Sequence, residues 1–228
     1  LEGVNLSMDD TDLKTQKLMI NHFFNSGYKA KYCILVLDDG HFIYSNKKLG
    51  NNDYRFVPFS NRKYVSNHYK KYEKGKLKML FNSKYSPLFA YSYYNLELLG
   101  PSIFAAFKPE YRNRFDANGN YTYPKSNQKK SYNKNEVNNL IISNPILKDI
   151  EEILKKNNSE LLIYIAPYQN KSYINSKVDL DWKVINHSGV LNNDSLFFDK
   201  IHVNSDGRVV ATNLFINEFK NNILTKGL

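Results

Sequence analysis

Apolar residues along this chain follow two rhythms, short continuous runs and helix-spaced repeats, and in three places a run and a repeat stand side by side. In the first, Gly3 to Ser7 reads as a strand leading into "DDTDLKTQKLMINHFFNSG". There Leu13, Leu18, Met19 and Phe23 recur at helical spacing, Asp9, Asp10 or Thr11 can cap the start, and Gly27 ends it. "KYCILVLDDG" follows as a strand of the kind buried in a parallel sheet, opening into a loop at Asp38-Asp39-Gly40. Strand, helix and strand together predict one right-handed crossover. The second place is "NEVNNLIISNPILKDIEEILKKNNSELLIYIAPY". Its helix carries Ile146, Leu147, Ile150 and Leu154 on one face and Lys155-Lys156 at the C-terminal end of the dipole, and "ELLIYIAPY" is a buried strand stopped by Pro167. The third is "SLFFDKIHVNSDGRVVATNLFINEFKNNIL", whose helix after Asp206-Gly207 sets Val209, Val210, Leu214, Phe215 and Phe219 along one side.

These units predict an α/β protein with a doubly wound, mostly parallel sheet between helical layers, as a single domain over 1–228. The rhythm is lost between His41 and Lys134, where Tyr, Lys, Asn and Phe dominate. Residues 41–134 therefore read as a large insertion or lid leaving the C-terminal edge of the sheet, where α/β proteins place ligand sites. Within it "SPLFAYSYYNLELLGPSIFAAF" can form helix, and "FDANGNYTYP" (Phe115 to Pro124) has the Gly and Asn signals of a hairpin or exposed loop.

Composition agrees with one large domain: 228 residues, 42% hydrophobic and 24% charged. The longest apolar runs are strand-length, well short of the ~18 to 20 residues of a membrane span, so the chain is expected to be soluble. It opens "LEGVNLS", with no Met, basic stretch or apolar stretch of a leader, so any targeting segment is expected to be removed or never present. The one cysteine, Cys33, can form neither an internal disulfide nor a cysteine zinc site and reads as a small buried hydrophobe. A net charge of +10 invites a nucleic-acid partner, yet only five of the 32 basic residues are Arg. Lys without Arg lacks the bidentate fork for phosphate and guanine, so the charge reads as a solvated surface and nucleic acid is an unlikely partner.

The chemistry-bearing residues cluster near the end. Asp199 and His202 stand three apart just before the last helix. Histidine is a base whose proton affinity lies near neutrality, and a carboxylate beside it fixes its tautomer and supports its charged form. Asn204 and Gly207 follow with turn chemistry. A plainer reading of the same residues is a capped turn, a surface or core histidine and a helix entry. Ser7, at a strand end before a helix, is the one serine placed as a nucleophile would be, though it also suits a cap. His41 and His187 fall in loops without spaced ligand partners, which argues against a metal site. Tyr64, Tyr69, Tyr72, Tyr91, Tyr93, Tyr94, Tyr121 and Tyr123 supply faces for stacking on sugar rings, although packing is the expected role of most of them.

The string D-x-x-H-x-N-x-x-G, Asp199 to Gly207, resembles the last block of the SGNH, or GDSL-like, hydrolase superfamily, in which D-x-x-H supplies the acid and base of a Ser-His-Asp triad. "GVNLSMDDTDLKTQKLMINHFF", "KYCILVLDDGHF" and "LLIYIAPY" are similar to strands and a helix of its envelope-polysaccharide acyltransferases and esterases. The resemblance implies a three-layer, flavodoxin-like α/β/α fold. It implies an esterase or O-acyltransferase acting on acyl groups, usually acetyl, of a surface polysaccharide, with His202 as base, Asp199 as its orienting carboxylate, and no metal or organic cofactor. It places Asn204, Asp38 and Asp39 at the substrate and favours a cell-envelope or extracytoplasmic location. The family's opening G-D-S or G-S-S block is absent from these 228 residues, so the serine is expected upstream of Leu1 or at Ser7. The oxyanion-binding G-x-N-D has become Leu37-Asp38-Asp39-Gly40. The competing expectation is an inactive member that binds a glycan or a partner protein.

Overall fold

The computed structural model describes residues 2–8, 10–73, 83–94, 96, 103–104, 106–108, 121–125, 136–178 and 182–224. Its helices are α1 (Leu13–Asn25), α2 (Asp39–Phe42), α3 (Lys63–Tyr72), α4 (Pro87–Tyr94), α5 (Pro145–Lys156) and α6 (Ser205–Phe219). The strands are β1 (Tyr32–Leu37), β2 (Glu136–Ile142), β3 (Glu160–Ile165), β4 (Lys171–Val178) and β5 (Lys183–Asn186). A 3-10 helix covers Asn51–Phe59, and a π-helical turn, Lys220–Leu224, extends α6. The chain divides into two compact units, Leu1–Lys29 with Ser45–Arg114, and Ala30–Tyr44 with Phe115–Leu228. The interval 41–134 is thus shared between them. Most of "FDANGNYTYP" lies outside the described residues, as do most of the stretch after Tyr94 and the side chains of Tyr91, Tyr93 and Tyr94.

In the first unit the expected helix forms as α1, capped by Asp12, whose carboxylate accepts the Lys14 N–H, rather than by Asp9, Asp10 or Thr11. At its end Gly27, at φ 88°, adopts the left-handed conformation that costs glycine little, and donates its N–H to the Phe24 carbonyl. Gly3 to Ser7 forms no strand. Val4 is 67% exposed, so this segment has no buried face to hold it in a sheet. The core gathers Leu18 from α1, Leu49 from the loop before the 3-10 helix, Tyr54, Phe56 and Val57 from that helix, and Val65 and Tyr69 from α3. The fully buried Tyr69 donates its hydroxyl to the Asp53 carbonyl at 3.0 Å.

The second unit is α/β, and among the described residues its paired strands all run parallel. β3 lies between β1 and β5, while β2 pairs with β4 in a separate two-stranded ladder. Leu161, Leu162, Ile163 and Ile165 are all buried, as a central parallel strand requires when both faces are covered. Alternation assigns the faces. Leu162, with Tyr164 beside it, packs on Phe215, Phe219 and Ile223. That leaves Leu161, Ile163 and Ile165 to the opposite face, and α5, which packs on β3, contributes buried Ile146, Leu147, Ile150 and Leu154. α5 begins as its sequence dictates, with Asn144 accepting the Ile146 N–H and Pro145 in the first turn. In β1 the residues registered on the α6 face, Ile34 and Val36, stay exposed, whereas Leu35 and Leu37 are buried. Cys33 is half-buried, and burial pushes its thiol up to about 11, which keeps it protonated.

α6 departs from its expected stripe. It starts one turn earlier, on Asn204, and Val209 and Val210 face solvent while Ala211, Phe215 and Phe219 meet the unit's interior. Shortening Ile163, fully buried at the middle of β3, to alanine is expected to cost about 2–5 kcal/mol of unfolding free energy. Urea denaturation followed by circular dichroism measures it, and a loss under about 1 kcal/mol would contradict the central placement of this strand.

Candidate active site

The Asp199–His202 segment is built as a closed turn. Phe197 and Val203 form an antiparallel bridge, the Phe198 N–H donates to the His202 carbonyl at 2.8 Å, and the Asn204 N–H donates to the Leu196 carbonyl at 2.9 Å. Beneath it Phe197 is buried with Leu191 and Ala211, and Leu196, Val203 and Leu214 pack around them. Asn204 is itself buried. Its Oδ1 accepts from the Asp206 and Gly207 amides, both at 3.1 Å, and its Nδ2 donates to the Ser195 carbonyl at 2.7 Å. It therefore caps α6 and ties the helix start to the preceding loop. Gly207 completes the joint: a Cβ there would stand 2.0 Å from the Leu196 carbonyl oxygen. The N-x-x-G behind the D-x-x-H is thus a device that seats a helix against the turn.

On this frame Asp199 uses both carboxylate oxygens. Oδ1 accepts the Ile201 amide at 2.9 Å and the His202 amide at 2.8 Å, while Oδ2 meets Nδ1 of His202 at 2.8 Å. Burial by itself raises the Asp199 carboxyl. The hydrogen bonds from the His202 ring and from the two amides outweigh it and hold the group below its ordinary value. An ionised carboxylate only accepts, so Nδ1 carries the proton of the neutral ring and Nε2 carries the lone pair. Nε2 has no hydrogen-bond partner among the described residues. The imidazole lies against the Tyr123 ring, with centroids 4.4 Å apart and planes 28° from parallel. Tyr123 also stacks on Phe198 at 5.0 Å, and Lys125 pairs with Asp206 at 2.7 Å.

Backbone bonds locate this turn in the fold. The Gln169 N–H donates to the Lys200 carbonyl at 3.0 Å, the Tyr168 N–H to the Ser188 carbonyl at 3.0 Å, and the His187 N–H to the Ile165 carbonyl at 2.9 Å. The loops that follow β3 and β5 are thereby joined, and the Asp199 turn hangs on the one after β3. It sits at the C-terminal ends of parallel strands, the usual place for an α/β ligand site.

Asp38 and Asp39 follow the C-terminal end of β1 in the same unit. Asp38 caps α2, accepting the Gly40 N–H at 2.9 Å, and pairs with Nδ1 of His41 at 3.0 Å. The His41 hydrogen bond is the main reason its carboxyl lies below the ordinary range. Asp39 is shared by the Lys171 ammonium and the Tyr173 hydroxyl, both on β4. Burial, with the Asp39 carboxylate second, raises the Tyr173 phenol well above its usual value, so it remains a donor. Ser7 belongs to the other unit, exposed, with its N–H bonded to the Asn5 side chain. His187, left as a loop residue by the sequence, lies just beyond β5 and is buried. Its Nε2 meets Glu218 of α6 at 2.8 Å and its Nδ1 lies 3.5 Å from the Tyr164 hydroxyl. Among the described residues no group of three or more His, Cys, Asp or Glu is gathered to hold a metal, and no helix is long and apolar enough to cross a membrane.

Sequence reasoning missed the contacts of Tyr123, Lys171, Tyr173 and Glu218, each distant in sequence from its partner. The tyrosine-rich "NYTYP" was the only signal among them. Compared with protein-family models, curated proteins and solved structures, the chain matches none.

Two outcomes are expected. Gly207→Ala must push the helix start off Leu196, so it should lower unfolding free energy by about 1–3 kcal/mol, read by urea denaturation; an unchanged midpoint would refute the close approach. Asp199, depressed in the folded state, contributes stability that is present above its unfolded value of about 4 and is lost as pH falls through its lower folded value. The amide resonances of Ile201 and His202 should therefore move together over that acidic window, and shifts centred above the unfolded value would contradict the sign.

Proposed function

We propose that the Asp199–His202 pair is the acid–base half of an SGNH-like serine esterase or O-acyltransferase that acts on acyl groups, acetyl foremost, of a surface polysaccharide. The observation that carries this is the state of the histidine: Nδ1 is engaged by a carboxylate that is itself held by two amides, and Nε2 is left with its lone pair. That is the arrangement a general base needs. Nε2 would take the proton from a serine hydroxyl as its oxygen attacks the acyl carbonyl. The same proton would then go to the departing sugar oxygen, leaving the acyl group on the serine. Water or an acceptor hydroxyl, deprotonated in turn by His202, would release it. Ser7 is the serine that the sequence offers for this step. The chain's envelope location and its carbohydrate substrate rest on the resemblance of the Asp199–Gly207 block.

A second reading, an inactive glycan- or protein-binding module of the same kind, is favoured by one observation. The loop after β1 presents two carboxylates, Asp38 and Asp39, where the related enzymes place an oxyanion-binding Asn. Negative groups there oppose the charge of an acyl-transfer transition state. Their pairing with His41 and Lys171 offsets part of that opposition.

Hydrolysis of p-nitrophenyl acetate separates the two. The parent should turn over above background, with His202→Ala and Asp199→Asn each slower by roughly 10²–10⁴-fold and Ser7→Ala equally slow if Ser7 is the nucleophile. Turnover indifferent to His202→Ala would sink the esterase reading. No turnover, together with equal retention of an O-acetylated glycan by parent and His202→Ala, would favour the binding module.

A further inference from the structure

We propose that Tyr123 is a positioning residue of the Asp199–His202 pair: its ring fixes the plane of the imidazole and with it the direction in which Nε2 presents its lone pair. This rests on the acid–base reading above and adds to it a group from the stretch that the sequence assigned to an insertion. One hydrogen bond, Nδ1 to Asp199 Oδ2 at 2.8 Å, holds one edge of the ring, and coupled turns of the two side-chain torsions can still tilt its plane while that bond is kept. The carboxylate end of the bond is already held by the Ile201 and His202 amides, so the ring plane is the freedom that remains.

Tyr123 removes that freedom. Its ring is 28° from parallel to the imidazole at 4.4 Å, and 29° from parallel to Phe198 at 5.0 Å. Phe198 and His202 are joined by a backbone hydrogen bond of 2.8 Å across the turn, so one phenol ring rests on both arms of it. Tyr121 packs its edge on Tyr123 at 4.9 Å and 86°, which braces the phenol in turn. The segment has a second anchor in the Lys125–Asp206 pair at 2.7 Å, on the first turn of α6. That pair is solvent-exposed and weak alone, so the aromatic contacts carry most of the fixing. A flat π face also suits an imidazole that becomes cationic in each catalytic cycle. An aliphatic side chain would fill the space without setting a plane.

Tyr123→Phe and Tyr123→Ala in the full chain, with His202 ring nitrogens followed by 15N NMR and p-nitrophenyl acetate turnover measured alongside, test the proposal. Tyr123→Phe should keep the parent's Nδ1–H resonance and its kcat within about twofold. Tyr123→Ala should lose or broaden that resonance and lower kcat roughly tenfold with KM little changed, because a misdirected base affects the chemical step rather than the capture of a small ester. An alanine variant with the parent's resonance and rate would overturn the proposal, as would a phenylalanine variant as impaired as alanine. If the parent shows no His202-dependent turnover, the acid–base reading fails by itself. The NMR comparison then still decides on Tyr123: a resonance lost with alanine and kept with phenylalanine supports positioning, and one unmoved by alanine overturns it.

Discussion

The burial of β3 on both faces is the constraint from which the second unit follows. A strand with Leu161, Leu162, Ile163 and Ile165 all removed from water needs a neighbour along each edge and a helix on each side. β1 and β5 supply the edges, α5 one face, and Phe215, Phe219 and Ile223 the other. Because the strands are parallel, their C-terminal ends lie together. Loops that leave there, after Leu37, Ile165 and Asn186, bring Asp38, Tyr168 and His187 to one end of the sheet with no further device. The gathering of polar side chains at this end is a consequence of direction, not of any special motif.

Chemistry enters where one carboxylate is asked to do two tasks. Asp199 closes a backbone turn with one oxygen and holds a histidine with the other. Had it accepted only the imidazole, its side chain would be free to swing with the ring; had it capped only the turn, the imidazole would be free to choose either tautomer. The double use converts the rigidity of the turn into a fixed proton position. Asn204 and Gly207 extend the same rigidity to α6, whose far end is locked on β3 by Phe219. The turn is thus continuous with the core through its own helix.

What the sequence made legible is what local physics controls. α1, β1, α5 and β3 stand where the apolar period placed them, because amphipathic spacing and a continuous apolar run each leave one stable solution, although α1 is capped by Asp12 and not by Asp9, Asp10 or Thr11. The Asp199–His202 contact was legible for the same reason, being three residues long. Gly3 to Ser7 looked like a strand from composition alone and has no buried face to make it one. β4 and β5 went unread because "KSYINSKV" is mostly polar and "KVIN" is only four residues long, and their pairing is decided by partners far away in the chain. Val209 and Val210 misled because α6 meets two separate clusters, so its inward face is not a single stripe. Tyr123 on His202 and Lys171 on Asp39 are long-range pairs between residue types that elsewhere in the chain simply pack or face water, and no local pattern marks them.

Three histidine–carboxylate pairs are described in this unit, His41–Asp38, His187–Glu218 and His202–Asp199, and the surroundings of the last two tell them apart. His187 is 5% exposed, and both its nitrogens face protein groups, Glu218 at 2.8 Å and the Tyr164 hydroxyl at 3.5 Å. Tyr164 is itself pushed up to about 12 by burial and then by Glu218, so it stays a neutral phenol across the physiological range. A ring enclosed in this way ties α6 to the sheet but has no lone pair to offer a substrate. The His202 side chain is 39% exposed, bonded at Nδ1 and open at Nε2. Proton transfer needs a nitrogen that is both tautomerically fixed and reachable, and of the two pairs only the second meets both conditions. The same comparison separates the two positions: His187 at the strand end is drawn into the core, while the turn that carries His202, one loop farther on, is braced by the core and stays exposed to solvent.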